Sequence, residues 1–335
     1  MNLPGLFDRQ DRLDSISKVG DPLERLSQAV AWQEFRPLLA KLREKERKSP
    51  AGRKPFDELL MFKLLVLQRL YNLSDHQVEF QVKDRLSFQR FLGLGLEDGI
   101  PDEKTVWAFR EQLSKAGIER ALFSQFERFL QRRGLKTKEG SIVDATLVEV
   151  PIRRDSKEDN DAIKAGEVPP SISENPNVAC QKDLDARWTK KHGKSYFGYK
   201  NHIRVDAASK LIREWEVTPA HVHDSQVFEE VLKAVKQRHS VYADNAYANE
   251  KKEEQLDKER GIYCLTCQRG ADWKWWNTIV ARTRSRVEHV FGWITKAMGG
   301  KEQRAIGLRR NTTGIALTNL VYNMSRYSRV YYAPT

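Results

Sequence analysis

The hydrophobic period of this chain changes once, just after Gly134, and that change limits what it can fold into. Before it, apolar residues recur at helical spacing, first in short clusters at 23–30 and 32–42 and then over 56–71, 75–82, 85–92, 103–116 and 118–133. Ser74-Asp-His-Gln77 has the spacing of a capping box at the head of the 75–82 helix, and Pro101-Asp102 starts the 103–116 helix. After a turn at 136–140 the period drops to that of strands, at 141–150, 197–207 and 211–218, the last two joined through Ala208-Ser209-Lys210. A helix at 224–238, a strand at 240–243, a helix at 250–260, a strand at 262–265 and helices at 278–298 and 313–327 complete the pattern. An all-α domain of residues 1–134 therefore precedes an α/β domain of residues 139–335 with the order β1-β2-β3-α-β4-α-β5-α. The charged, Pro- and Gly-punctuated stretch 41–55 reads as a linker. The polar stretch 153–194 reads as an insertion, partly disordered without a ligand.

The net charge of +12 points to a polyanion as the large partner, with nucleic acid first. The surplus is uneven. Between Ala281 and Arg310 stand Arg282, Arg284, Arg286, Lys296, Lys301, Arg304, Arg309 and Arg310 against only Glu288 and Glu302. A one-signed strip of this kind either tracks phosphates or is a solvated helix face. Short helices joined by tight turns suit a helix-turn-helix DNA reader, and equally a dimerisation unit or an ordinary bundle. Cys180, Cys264 and Cys267 are too few for a disulfide framework, and Cys264-Leu-Thr-Cys267 lacks the second pair of ligands that a structural zinc needs. With no apolar run long enough to span a bilayer and no signal-peptide core, the expected location is the cytoplasm.

Three carboxylates carry the chemistry. Asp144 interrupts the otherwise apolar strand Ser-Ile-Val-Asp-Ala-Thr-Leu-Val, where a lone charge is costly unless it is paired, hydrogen-bonded or metal-bound. Asp244 ends Ser-Val-Tyr-Ala-Asp, at the C-terminal lip of a strand, where open α/β sheets place their sites. Glu288 lies on a helix whose packed face is Val287, Val290, Phe291 and Ile294, and a surface ion pair with the neighbouring arginines would also account for it. Singly each has a structural explanation. Together, on the first strand, after the fourth strand and on a later helix, they converge in a ribonuclease-H-like sheet, whose element order this is. Three hard oxygen donors suit Mg²⁺ or Mn²⁺, and two such ions can activate a nucleophile and stabilise a leaving oxygen.

Matching pieces run in order from about residue 50 to 325: Tyr71-Asn-Leu-Ser-Asp75, Pro101-Asp102, Val143-Asp-Ala-Thr146, Thr189-Lys-Lys191, Phe197-Gly-Tyr-Lys-Asn-His202, Val205-Asp-Ala207, His223-Asp224, Ala243-Asp244 with Tyr247, Arg284-Ser-Arg-Val-Glu-His289 and Leu317-Thr-Asn-Leu320. On these the chain resembles the IS5 family of bacterial insertion-sequence transposases, within the IS4-like DDE superfamily. The resemblance implies that Asp144, Asp244 and Glu288 are the catalytic, metal-holding triad. It also implies a nucleoid-associated protein that acts on double-stranded DNA, both element ends and target, as a homodimer or larger assembly. The family signature around the glutamate is Tyr, two residues, Arg, three residues, Glu, six residues, Lys. Arg284 and Glu288 fit it, whereas Ala281 and Thr295 stand at the Tyr and Lys positions, with Lys296 one residue late. Those departures keep open a domesticated DNA-binding protein without catalysis, alongside a metal-dependent nuclease that cuts without joining.

Further DNA contacts are expected from Arg282, Arg284, Arg286 and Lys296 on the glutamate helix. Lys200 and His202, two apart on a strand, share a face and could meet phosphate or be salt-bridged within the sheet. Trp275 and Trp276, beside Lys274 and Trp273, could stack on unpaired bases, with core packing or a subunit contact as the alternative. Asp224, near the expected site, reads as the N-cap of the helix after it.

Overall fold

A computed structural model describes residues 7–43, 54–137, 140–235, 238–268 and 270–332. Most of the 41–55 linker lies outside them. The chain divides into two compact units, one of residues 1–129 with 320–335 and one of residues 130–319. Among the described residues no helix is long and apolar enough to cross a membrane.

The first unit is helical: α1 (Asp8–Val19), α2 (Pro22–Ala29), α3 (Arg36–Ala40), α4 (Glu58–Leu70), α5 (Asp75–Asp84), α6 (Leu86–Leu92), α7 (Glu103–Ala116) and α8 (Glu119–Arg132), whose last residues fall past the boundary. Helix α4 is apolar on nearly every side because it is the buried one. Phe62 packs against Trp32 and Phe35, and Trp32 against Phe91. The capping box of α5 is formed in both directions, Gln77 N donating to Ser74 Oγ and Ser74 N to Gln77 Oε1. Helix α1 is absent from the sequence reading because it buries little beyond Leu13, which leaves no apolar stripe to detect.

The second unit is built on a mixed sheet: β1 (Ser141–Glu149), α9 (Lys157–Ala165), α10 (Pro170–Ser173), α11 (Pro176–Ala179), β2 (Arg187–Lys191), β3 (Lys194–Asp206), β4 (Ile212–Pro219), α12 (Asp224–Leu232), β5 (His239–Ala243), α13 (Glu250–Arg260), β6 (Ile262–Thr266), α14 (Lys274–Met298) and α15 (Leu308–Val330). The strands run in the order β4-β3-β1-β5-β6. Strand β3 is antiparallel to both its neighbours, and β1, β5 and β6 are mutually parallel. This is a ribonuclease-H-like sheet, following a helical region, as the element order anticipated. At Gly198 the backbones of β1 and β3 come so close that a Cβ would stand 2.1 Å from Val148 O, and φ of +152° is itself a glycine conformation.

Two departures from the sequence reading concern boundaries. The segment 153–194 is not simply an insertion. It forms three short helices and then β2, which makes a hairpin with the start of β3 through His192-Gly193. Strand β2 escaped notice because it is largely exposed and polar, with no apolar alternation. The chain from Leu320 onward, read from sequence as part of the second domain, groups with the first unit, although α15 is continuous through that point.

The segment around residues 153–194 is pinned by buried polar groups. Asp183, 2% exposed, accepts from Tyr199 Oη at 2.7 Å, from the backbone N–H of Asp185 and Ala186 at 3.1 and 2.9 Å, and from Gly307 N at 2.9 Å. Asp185 accepts from Leu308 N at 2.8 Å, so the pair caps the head of α15, where orphan N–H groups and the helix dipole favour negative charge. Lys182 and Asp155 form a buried ion pair beside them.

Candidate active site

The β1–β5 ladder brings two of the predicted carboxylates together. Its parallel register pairs Ser141 with Val241 and Ile142 with Tyr242. Carried two residues further, the same offset sets Asp144 beside Asp244, and a step of two keeps the side chain on one face. Asp144 still lies in β1 opposite Ile203 of β3, its Oδ1 accepting from Ala145 N at 2.8 Å. Asp244 has just left β5 and caps the short helical turn Asn245–Tyr247, accepting from Asn245 N at 2.6 Å.

Helix α14 crosses these strand ends with Val280, Val287, Val290, Phe291 and Ile294 buried beneath it. Arg284, in that packed stripe, places its Nη2 at 3.4 Å from Asp144 Oδ2 and 3.6 Å from Asp244 Oδ2. Burial works against its charge, but Asp144 and Asp244 hold the guanidinium firmly protonated. Glu288, one turn along, is exposed, and its charge reaches Asp144. Burial pushes the Asp144 carboxyl up to about 6, against the pull of Arg284, while the like charges of Asp244 and Glu288 add to the rise. Strand β6 closes the site from the far side. Its ladder with β5 sets Cys267 beside Asp244 just past the strand, so Cys267 lies against Arg284 rather than in the strand core.

Several expected DNA contacts are placed differently. Arg284 lies between the two aspartates, not on an open surface. Lys200 and His202 do share a face, but Asp144 pairs with Ile203, one residue out of phase, so the two basic residues point to the other side of the sheet. There Lys200 Nζ donates to Asp224 Oδ1 and Val222 O, both at 2.7 Å. His202 is fully buried with Nε2 against Thr218 Oγ1, so it offers nothing to a phosphate. The cap of α12 is His223, not Asp224, which takes the next position and the Lys200 ion pair. Trp276 is half-buried and donates to Thr266 O at 2.9 Å, which makes it the anchor of α14 on β6. Trp275, Ile279, Arg282 and Arg286 repeat at helical spacing and form an exposed stripe on α14, with Trp275 74% exposed; Arg286 also donates to Ala207 O. Lys296 is exposed two turns beyond Glu288.

Burial has a pH consequence at His202. It lowers the imidazole to about 4, helped by Lys200 and opposed by Asp224, from an ordinary value near 6.5. The folded state therefore disfavours the proton, so stability is intact above about pH 6.5 and is lost as pH falls toward 4, by on the order of 3 kcal/mol at the acid end. Thermal melts of the parent and of His202→Gln between pH 7.5 and 4.5 are expected to show a smaller acid-side drop in the variant.

The ribonuclease-H-like sheet thus carries two aspartates at adjacent parallel strand ends, with a glutamate exposed on the helix that crosses them. Residues 135–324 match the family described as transposase DDE domain, and residues 11–112 match a second transposase domain family, DUF772. The chain belongs to the transposase DDE domain family and is a DNA transposase. Two solved structures bear a partial likeness. One is a cryo-EM structure of a piggyBac transposase synaptic complex with hairpin DNA, with TM-score 0.46 and 10% identity over 91% of this chain and 74% of that one. The other is a Mos1 transposase paired-end complex with the left transposon end, with TM-score 0.20 and 12% identity over 78% and 83%.

Enzymes of this family depend on divalent metal. Among the described residues no three His, Cys, Asp or Glu side chains are gathered into a group that could hold an ion as they stand. The donor set nevertheless fits one. Asp144 and Asp244 are already drawn toward a single positive charge, that of Arg284, and with Glu288 on the same helix they set three carboxylates against one guanidinium.

Proposed function

We propose that the chain is the transposase of an IS5-type insertion sequence, working as a homodimer or larger assembly on the terminal inverted repeats of its own element. The observation that carries this reading is the β1–β5 register, which aligns Asp144 with Asp244 beneath the helix that bears Glu288. Two Mg²⁺ or Mn²⁺ ions held by these carboxylates would supply the activation of water or a 3′-hydroxyl and the stabilisation of the leaving oxygen. Cleavage breaks a phosphodiester bond at the element end and leaves a 3′-hydroxyl. That oxygen then attacks a target phosphodiester and displaces its 3′-oxygen, so joining needs no external energy source.

DNA is held, in this reading, along the exposed stripe of α14. Arg282 and Arg286 meet phosphate and Trp275 stacks on a base, as aromatics interleaved with arginines do on unpaired nucleic acid. The helical unit recognises the element ends or dimerises. The deciding experiment supplies the protein and Mn²⁺ with pre-cut, 3′-hydroxyl element ends and a target plasmid. Joined product is the expected result. Nicking without joining would make the protein a nuclease. Salt-sensitive binding without any nick would make it a domesticated DNA-binding protein, the reading that Ala281 and Thr295 favour.

A further inference from the structure

The β2–β3 pair is longer than the sheet that holds it. Strand β1 pairs with β3 only from Gly198 onward and β4 only from Tyr199, so Lys194, Ser195 and Tyr196 pair with β2 alone. These three pairs and their turn form a two-stranded ribbon that runs roughly 10 Å past the neighbouring strands, at about 3.3 Å per residue. The turn is tight. His192 and Gly193 both have positive φ, 48° and 77°, as a type I′ hairpin requires, and that turn follows the twist of its strands.

The charge of the ribbon has one sign. From Ala186 to Val205 the sequence has no acidic residue, and Lys190, Lys191 and Lys194 stand exposed around the turn. Among the described residues none of the three has a carboxylate partner. Other exposed lysines of the same unit are matched: Lys164, Lys233 and Lys258 are each joined to an acid three or four positions earlier, Asp161, Glu230 and Glu254. Lysines on an open strand edge also deter pairing with other chains. An edge built only to repel would not display Trp188, which is 49% exposed with its ring 5.2 Å from that of buried Phe197.

The register puts this face on the side of the carboxylates. Trp188 lies opposite Phe197, Phe197 alternates with Tyr199, Asn201 and Ile203, and Ile203 lies opposite Asp144. Lys194 and Ile203 are about 30 Å apart along β3 at 3.3 Å per residue, the length of roughly nine base pairs of duplex.

Resting on the reading of Asp144 and Asp244 as a centre that acts on duplex DNA, we propose that the β2–β3 ribbon is a second DNA-holding element, which enters the major groove about one helical turn from the reacting phosphate. A groove about 12 Å wide admits a two-stranded ribbon. Lys190 on one face and Lys191 and Lys194 on the other meet the phosphates of its two walls. With no Arg, Asn or Gln between Trp188 and Tyr196, the ribbon positions DNA without reading its sequence.

The test is fluorescence anisotropy with a labelled duplex of arbitrary sequence and with its single strand, between about 50 and 200 mM salt. The parent is compared with a ribbon variant, Lys190→Gln, Lys191→Gln and Lys194→Gln together, and with a control, Lys164→Gln, Lys233→Gln and Lys258→Gln, which removes the same charge elsewhere on the unit. The ribbon variant is expected to bind duplex at least roughly tenfold more weakly at the lower salt, with a log–log salt slope shallower by about 2 to 3. Its loss on the single strand should be smaller, the control should stay close to the parent, and thermal melts of both should match the parent's, because all six lysines are exposed. Unchanged affinity in the ribbon variant would leave the lysines as guards of an open strand edge. Equal losses in ribbon variant and control would reduce them to their share of net charge. A loss on the single strand as large as on duplex, or a melting temperature that falls with affinity, would equally overturn the proposal. A parent that binds no duplex would overturn the DNA reading and this inference with it.

Discussion

Asp144→Asn, Asp244→Asn and Glu288→Gln are each expected to reduce Mg²⁺-dependent cleavage of element-end DNA by at least roughly 10³-fold, the scale on which single members of a catalytic unit fail. Unfolding will not be the cause. Asp144 is a part-buried carboxylate, 17% exposed at its side chain, whose proton affinity in the metal-free fold is raised to about 6 by burial first. A carboxyl raised on folding favours the folded state below its unfolded value near 4, and that advantage is lost as pH climbs through 6. At pH 7.5 the buried charge then costs on the order of 3 kcal/mol, with the pull of Arg284 already counted. An amide removes that cost and leaves Asp244 to accompany Arg284, so the metal-free melting temperature of Asp144→Asn at pH 7.5 should equal or exceed the parent's. A variant that is dead in cleavage but no less stable than the parent marks a residue kept for chemistry. A variant that loses both together would make Asp144 a structural residue.

The second large effect lies away from the carboxylates. Asp183→Ala removes the acceptor for Tyr199 Oη, Gly307 N and two backbone N–H groups of its own loop, of which the bonds from Tyr199 and Ala186 are buried and the other two part-buried. Orphaning several buried donors at once, one of them at the head of α15, is expected to cost about 3–5 kcal/mol, read as a shift of the urea midpoint at unchanged slope. Asp183→Asn keeps the shape but turns an amide N–H toward donors, so it should lose a large part of the same amount. A midpoint within a few tenths of the parent's would show that the loop carries no load.

Much of this was legible in the sequence, and the limits have physical reasons. The change of period at Gly134 and the capping box at Ser74–Gln77 are local signals, and both elements appear where they point. Asp144 and Asp244 each break the local pattern of an apolar strand, but singly each also has a structural explanation, and only their combination with Glu288 pointed to a site. Lys200 and His202 were rightly given one face, but a period of two cannot say which side of the sheet a helix covers, and α12 covers theirs. Arg284 was read as a surface cation because helix spacing shows its neighbour Glu288 but not the strand ends beneath it. Tyr247 shows in the sequence only as one of the matching pieces of the family resemblance, and Asp183 carries no one-dimensional signal beyond its residue type. One depends on an apolar cluster drawn from β1, β5, α12 and β6, the other on a contact with residues more than a hundred positions away.

The β1–β5 register has a consequence for how such a protein can vary. Ninety-nine residues separate Asp144 from Asp244 along the chain, yet their adjacency is set entirely by two paired strands. The length of the chain ahead of β2 is the free variable: short helices or whole modules can be gained or lost between 150 and 186 while β3, β4 and α12 complete the sheet and the two oxygens stay where they are. The ladder itself has no such latitude, since a slip of one residue would turn one aspartate to the opposite face and separate the pair. Lineages carrying this sheet should therefore differ most in the stretch between the two aspartates and hardly at all in the handful of residues that lead into each of them.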